Sequence, residues 1–326
     1  MKKILALLLA LWIPAAVLSG CAPQDDSAAS NKLNIVTTIF PAYDWVREIL
    51  GDETDRAEIT MLLDSGVDLH SYQPTVDDIV KISDCDLFLY VGGESDGWVE
   101  DALKNAPNQE RKVIRLLDVL GDSAKAEETV AGMQEEEHDH EEGAEYDEHI
   151  WLSLKNAQVL VAAISEALQE TDPARKGTYA ANAAAYVEKL SALDGEYRAA
   201  VDSGTYKTLL FGDRFPFRYL ADDYGLDYYA AFPGCSAETE ASFETVSFLA
   251  GKMDALGLPC VLTIEGTQHK IAETIVQNTA KKNQQILTMD SMQAVTANDA
   301  ASGVSYLSIM EKNLSVLKKA LGQEAE

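Results

Sequence analysis

Two series of alternating strand-like and helix-like segments flank one stretch, Pro173 to Val201, that is rich in Ala, Glu, Lys and Leu and has no proline after its first residue. Asp172 suits the cap position and Pro173 the first helical position. A single helix of about 28 residues would run roughly 42 Å, long for one lobe and suited to a connector lying along two. The alternative is a pair of helices broken near Gly195.

On the amino-terminal side, apolar runs of β character fall at Asn34–Ile39, Ile59–Leu63, Leu87–Val91 and Lys112–Leu117. On the other side they fall at Thr208–Phe211, Leu226–Phe232, Cys260–Ile264 and Gln285–Met289. Helical patterns fill the gaps, as in Ala42–Leu50, where Trp45, Val46, Ile49 and Leu50 share a face. Strands alternating with helices predict an α/β protein with parallel sheets. The expected division is an amino-terminal lobe over 33–172, a linker helix over 173–203 and a carboxy-terminal lobe over 204–326.

The chain opens with Lys2 and Lys3, an apolar run to Val17, and Leu18-Ser-Gly-Cys21. This reads as a signal peptide over 1–20. The tetrapeptide resembles the bacterial lipobox, which makes Cys21 the expected lipidated residue and 21–32 a polar tether. The formal charge is −28, and removing Lys2 and Lys3 makes the remainder more negative still. So acidic a chain repels phosphate backbones and disfavours nucleic acid as a partner. After Cys21 three cysteines remain, Cys85, Cys235 and Cys260. An exported chain could pair two of them, and the odd count leaves at least one free.

Segment 118–148 holds thirteen acidic residues against one lysine, with His138 and His140, and lacks apolar periodicity. It is expected to be an acidic surface loop, with loose metal binding as the alternative role. Ligands of open parallel sheets bind beyond the carboxyl ends of the strands. That rule selects His70, His149, Asp213, Cys235, Glu238, Glu240, Glu265 and Asp290. The first half thus offers imidazoles and the second mainly carboxylates. Two imidazoles with one or two carboxylates suit zinc, and also manganese. Asp68 and Asp147 are local candidates for shaping the histidine loops.

Four segments carry a resemblance. Asn34-Ile-Val-Thr-Thr-Ile-Phe-Pro, Val67-Asp-Leu-His-Ser-Tyr-Gln-Pro-Thr, Asp147-Glu-His-Ile-Trp-Leu and Leu287-Thr-Met-Asp-Ser-Met resemble segments of the zinc- and manganese-uptake solute-binding lipoproteins of bacterial ABC importers, some of which are labelled adhesins. The resemblance covers nearly the whole chain after Cys21. It implies two α/β lobes, each with a small parallel sheet, joined by one long rigid helix, with the metal in the cleft between them. It implies His70, His149 and Asp290 as ligands, Zn2+ (alternatively Mn2+) as the ion, and a permease and its cytoplasmic ATPase as partners. The expected protein is a non-enzymatic monomer, extracytoplasmic and anchored to the cell membrane.

One departure stands out. Zinc members of that family carry a third histidine, followed by Asp, where this chain has Gly212-Asp213. Either the site has three protein ligands plus water, or a neighbour substitutes, Asp213 first, then Cys235, with Glu238 and Glu240 weaker. Two other readings stay open. One is a secreted zinc hydrolase with Glu265 as general base, although the chain has no His-Glu-x-x-His pair. The other is an adhesion lipoprotein.

Overall fold

Each apolar run of the first half becomes a strand: β1 (Leu33–Thr37), β2 (Ala57–Met61), β3 (Leu87–Tyr90) and β4 (Lys112–Arg115). The second half gives β5 (Thr208–Phe215), β6 (Asp227–Pro233), β7 (Cys260–Thr263) and β8 (Gln285–Thr288). These come from a computed structural model, which describes residues 32–104, 107–108, 110–134, 146–236, 240–266 and 269–323. The expected leader, Cys21, nearly all of the tether, His138, His140 and Glu238 lie outside the described residues.

The sheets are four-stranded, with orders β2-β1-β3-β4 and β6-β5-β7-β8. All pairings are parallel. The two orders match, so each sheet has its topological switch point beside its first strand, where ligand crevices form. Helices cover the sheets, as burying both faces of parallel strands requires. In the first half they are α1 (Phe40–Leu50), α2 (Val76–Asp84), α3 (Val99–Lys104), α4 (Leu116–Leu120) and α5 (Leu154–Thr171). α6 (Lys176–Ser203) follows, then α7 (Arg218–Tyr224), α8 (Phe243–Leu256), α9 (Lys270–Asn278), α10 (Ala297–Ala301) and α11 (Tyr306–Ala320).

α6 is one helix of 28 residues, unbroken at Gly195. Its buried residues are Tyr179, Ala183, Tyr186, Leu190, Leu193, Tyr197, Ala200 and Val201. Up to Ala200 they step by four and three, which lays one apolar stripe along the whole length. Polar contacts fix it to both halves. Asn182 Nδ2 donates to Ile49 O of α1 at 3.0 Å, and Tyr197 Oη donates to Met310 O of α11 at 2.7 Å. One hydrophobic core runs from Ile35 through this stripe to Leu321. A smaller cluster, around Leu210, Leu249 and Ile275, lies under α8 and α9.

A second joint lies away from the long helix. Tyr306, at the start of α11, donates its backbone N–H to Asp44 Oδ2 of α1 at 2.8 Å. Burial, partly offset by that bond, pushes the Asp44 carboxyl up to about 6. The phenol of Tyr306 donates to Trp151 O at 2.7 Å. Among the described residues no helix is long and apolar enough to cross a membrane.

Candidate metal centre

His70 sits in a single 3-10 turn, Leu69–Ser71, in the loop that follows β2. Asp68 caps that turn, accepting the His70 backbone N–H at 3.0 Å, while Leu69 anchors it in the core. His70 Nδ1 lies 2.8 Å from Ser95 Oγ and 3.6 Å from Glu148 Oε2. Glu148 Oε1 accepts the Ser95 backbone N–H at 2.9 Å. That carboxylate lies against the backbone of Gly93, where a Cβ would sit 2.0 Å from Oε1. Gly93 therefore belongs to the site as much as the residues that bond within it.

His149 is fully buried. Asp147 Oδ1 accepts its backbone N–H at 2.8 Å and its ring Nδ1–H at 3.0 Å. The ring is thereby turned so that Nε2 faces away from Asp147, the arrangement that orients metal-binding histidines. Trp151 packs against it with ring centroids 5.3 Å apart. Gly234 closes the other side, where a Cβ would lie 3.2 Å from His149 Cε1.

The two imidazoles meet across the centre, His70 Nε2 and His149 Nε2 lying 3.2 Å apart. Two nitrogens on one tetrahedral zinc ion, each at about 2.0–2.1 Å, stand about 3.3 Å from one another. Cys235 Sγ completes a group of three donors that all lie within 4.8 Å of one another. Cys235 follows β6, is partly exposed, and donates its backbone N–H to Glu127 Oε1 at 3.1 Å.

The protonation pattern favours ion capture. Burial, then the neighbouring His149, pushes His70 down to about 3, so His70 stays neutral well below neutral pH. The hydrogen-bond pattern assigns Nδ1–H to His149 and lets His70 Nε2–H donate to His149 Nε2. Capture by both Nε2 atoms requires the other His70 tautomer, and Ser95 Oγ and Glu148 Oε2 stand ready to accept from Nδ1–H. Burial and the carboxylates of Asp147, Glu127 and Glu148 hold the Cys235 thiol well above its ordinary range, so an ion must displace its proton.

The carboxylates singled out from the sequence make backbone hydrogen bonds of their own. Asp213 accepts from Arg214 N at 2.9 Å and Ile264 N at 3.4 Å. Asp290 accepts from Met292 N at 2.8 Å, in a loop where Met292 has a positive φ of 66°. Burial and Glu265 push Asp290 up to about 6. Neither carboxylate joins the group of three. Trp151 Nε1 donates to Ser291 O at 2.8 Å, which ties the Asp290 loop to the His149 segment. Glu240 is exposed.

Glu265 accepts three bonds, from Ser291 N at 2.6 Å, Ser291 Oγ at 2.7 Å and Gln293 N at 3.0 Å. So engaged, its carboxylate is committed to holding a loop rather than poised as a general base. Gly212 also departs from the expectation that it marks a ligand position. A Cβ there would lie 2.7 Å from Ala272 Cα of α9, so the position faces the helix behind the sheet. Cys85, Cys235 and Cys260 are all free, so no two of them pair. Burial pushes the Cys85 and Cys260 thiols up to about 12, which leaves them inert packing residues.

Ser95, Glu127 and Arg214 escaped sequence reasoning. Each reaches the site from a loop or strand remote in sequence, and none stands in a motif that marks it.

Residues 35–320 match the family model described as "Zinc-uptake complex component A periplasmic", ZnuA. The chain is 32% identical over 329 residues to the "Zinc-binding lipoprotein AdcA" of Streptococcus pneumoniae serotype 4, covering 99% of this chain and 62% of that protein. It therefore spans less than two thirds of that relative. It is 29% identical to the "High-affinity zinc uptake system protein ZnuA" of Bacillus subtilis, covering 89% of this chain and 88% of that one. Among solved structures, the Zn(II)-bound ZnuA-like domain of Streptococcus pneumoniae AdcA superposes with a TM-score of 0.70 at 30% identity. That superposition covers 90% of this chain and 100% of that domain.

Proposed function

The chain belongs to the ZnuA family of zinc-uptake components, and from that premise we propose that it captures a zinc ion between His70 and His149 and hands it to a membrane permease. The observation that carries the reading is the pair of Nε2 atoms 3.2 Å apart, each ring fixed from behind by Asp147 or by Ser95 and Glu148. Two facing imidazoles can share only one hydrogen bond between their Nε2 atoms. They gain much from a shared cation, because both lone pairs then point at it.

The ion is cargo, so the site must let it in and out. His149 is buried, whereas His70 and Cys235 are only partly so. The ion enters from the His70 and Cys235 side and meets His149 last. In this reading the protein acts outside the cytoplasmic membrane, held there by lipid on Cys21. A permease with its cytoplasmic ATPase takes the ion onward. The fold puts the two sheets on one core and pins the long helix to both halves, so capture is expected to move loops rather than rotate whole lobes.

Titration calorimetry with zinc tests this. The wild-type chain is expected to bind one ion tightly, and His70→Ala and His149→Ala each to lose that binding while keeping the far-ultraviolet dichroism of the wild type. Zinc affinity unchanged in both variants would refute the reading.

A further inference from the structure

We infer that Cys235 is the third protein ligand, binding as a thiolate, and that its sulfur makes the site selective for thiophilic d10 ions, Zn2+ and Cd2+, over Mn2+. The inference rests on the reading of His70 and His149 as the metal pair and adds the donor that sets its selectivity.

Four observations support it. Among the described residues, Cys235 Sγ is the one donor from the second half that groups with the two imidazoles within 4.8 Å. Asp213 accepts from two backbone N–H groups and Asp290 from Met292 N, and neither groups with the two imidazoles. Gly212 has no donor, and its missing side chain would point at Ala272. Finally, the cysteine is held for the task. Its backbone N–H is fixed to Glu127 at 3.1 Å, and the adjacent Ser236 O accepts from Arg214 Nη1 at 3.2 Å.

The chemistry follows from donor softness. Carboxylate and water oxygens suit manganese, whereas thiolate selects zinc and softer ions. Exchanging an oxygen or nitrogen donor for sulfur shifts the site toward Zn2+ and Cd2+. On binding, the Cys235 S–H bond breaks, its proton passes to solvent or buffer, and the sulfur keeps the electron pair that it shares with the ion. No oxidant or reductant is involved.

The test loads the full chain with Co2+, Zn2+, Cd2+ and Mn2+ in turn. The wild-type Co2+ form is expected to show a near-ultraviolet sulfur-to-cobalt charge-transfer band that Cys235→Ser lacks. Loss of a group that merely orients a ligand costs about 10–100-fold in affinity. Loss of the ligand itself should cost zinc on the order of a hundredfold or more, and cadmium more than zinc. Cys235→Asp should narrow the gap between zinc and manganese. Wild-type protein that binds zinc with no charge-transfer band for cobalt, or Cys235→Ser with wild-type affinities for zinc and cadmium, would overturn the inference and leave capture by the histidines standing. Failure of the wild type to bind zinc at all would overturn both.

Discussion

Arg214 and Asp68 form an ion pair, Nη2 to Oδ2 at 2.6 Å, that bridges the second sheet and the loop carrying His70. Both side chains are mostly buried. Asp68 turns its other oxygen to the His70 backbone, and Arg214 turns its other nitrogen to Ser236, next to Cys235. Burial alone would push the Asp68 carboxyl up. The Arg214 charge and hydrogen bond, with His70, outweigh burial and hold it below the usual range. One ion pair thus ties the loop of His70 to the segment beside Cys235.

Arg214→Met is therefore expected to weaken zinc binding by about 10–100-fold, the range for groups that orient ligands. It should also destabilise the chain by about 1–3 kcal/mol, between the exposed and fully buried limits for breaking a pair. Calorimetry and thermal unfolding measure the two effects, and Arg214→Lys should recover part of each. Wild-type affinity in Arg214→Met would show that the pair does not position the site.

Gly212→His introduces the residue that zinc members of the family carry, yet it is not expected to tighten zinc binding. The new Cβ would lie 2.7 Å from Ala272 Cα, and overpacking of that kind costs about 1–3 kcal/mol. A lowered melting temperature with no gain in zinc affinity is the predicted result. Gly234→Ala should act at the site itself, because its Cβ would press on both Phe215 O at 2.9 Å and His149 at 3.2 Å. Reduced zinc affinity in Gly234→Ala is the expected calorimetric outcome.

Those glycines show where reading the chain stopped. All eight strands and the long helix were legible, because buried parallel strands are apolar runs and the α6 stripe repeats by four and three. The motifs of His70 and His149 marked them as candidates, and the fold brings their rings together; Cys235 stood behind Asp213 among the candidates for a further donor. β5 changes register between Phe211 and Arg214, and an irregularity of that kind decides which way Gly212 and Asp213 face without leaving a mark in residue type. Ser95, Glu127 and Arg214 were hidden because tertiary packing alone brings them to the histidines.

Zinc binding should release about one proton per ion near neutral pH, since His70 is already neutral and the Cys235 thiol holds its proton. Calorimetry in buffers of different ionisation enthalpy reads that number directly. Cys235→Ser should bring it close to zero, and release of no proton by the wild type would contradict the assignment.

In the absence of metal, acid should destabilise the chain through His70. Its folded value of about 3 lies below the ordinary 6.5, so the unfolded chain binds the proton more readily. The stability this neutral ring contributes is present above 6.5 and is lost as the pH falls toward 3. His70→Ala should flatten that part of the stability profile in denaturant titrations.

Asp44 predicts the opposite slope. Its carboxyl is raised from 3.8 to about 6, so its contribution is complete below 3.8 and is lost as the pH rises through about 6. Asp44→Asn keeps an acceptor for Tyr306 N–H and removes the buried charge. Relative to the wild type, it should gain roughly 2–3 kcal/mol in stability between pH 4 and pH 7.5, following the size of the shift. A stability difference independent of pH would show that Asp44 does not ionise in place.

The most direct test of the central claim is the anomalous scattering of zinc in crystals of the loaded chain. The account predicts one strong peak within about 2.0–2.1 Å of both His70 Nε2 and His149 Nε2. A peak bound elsewhere, or imidazole rings turned away from one another around a bound ion, would contradict it.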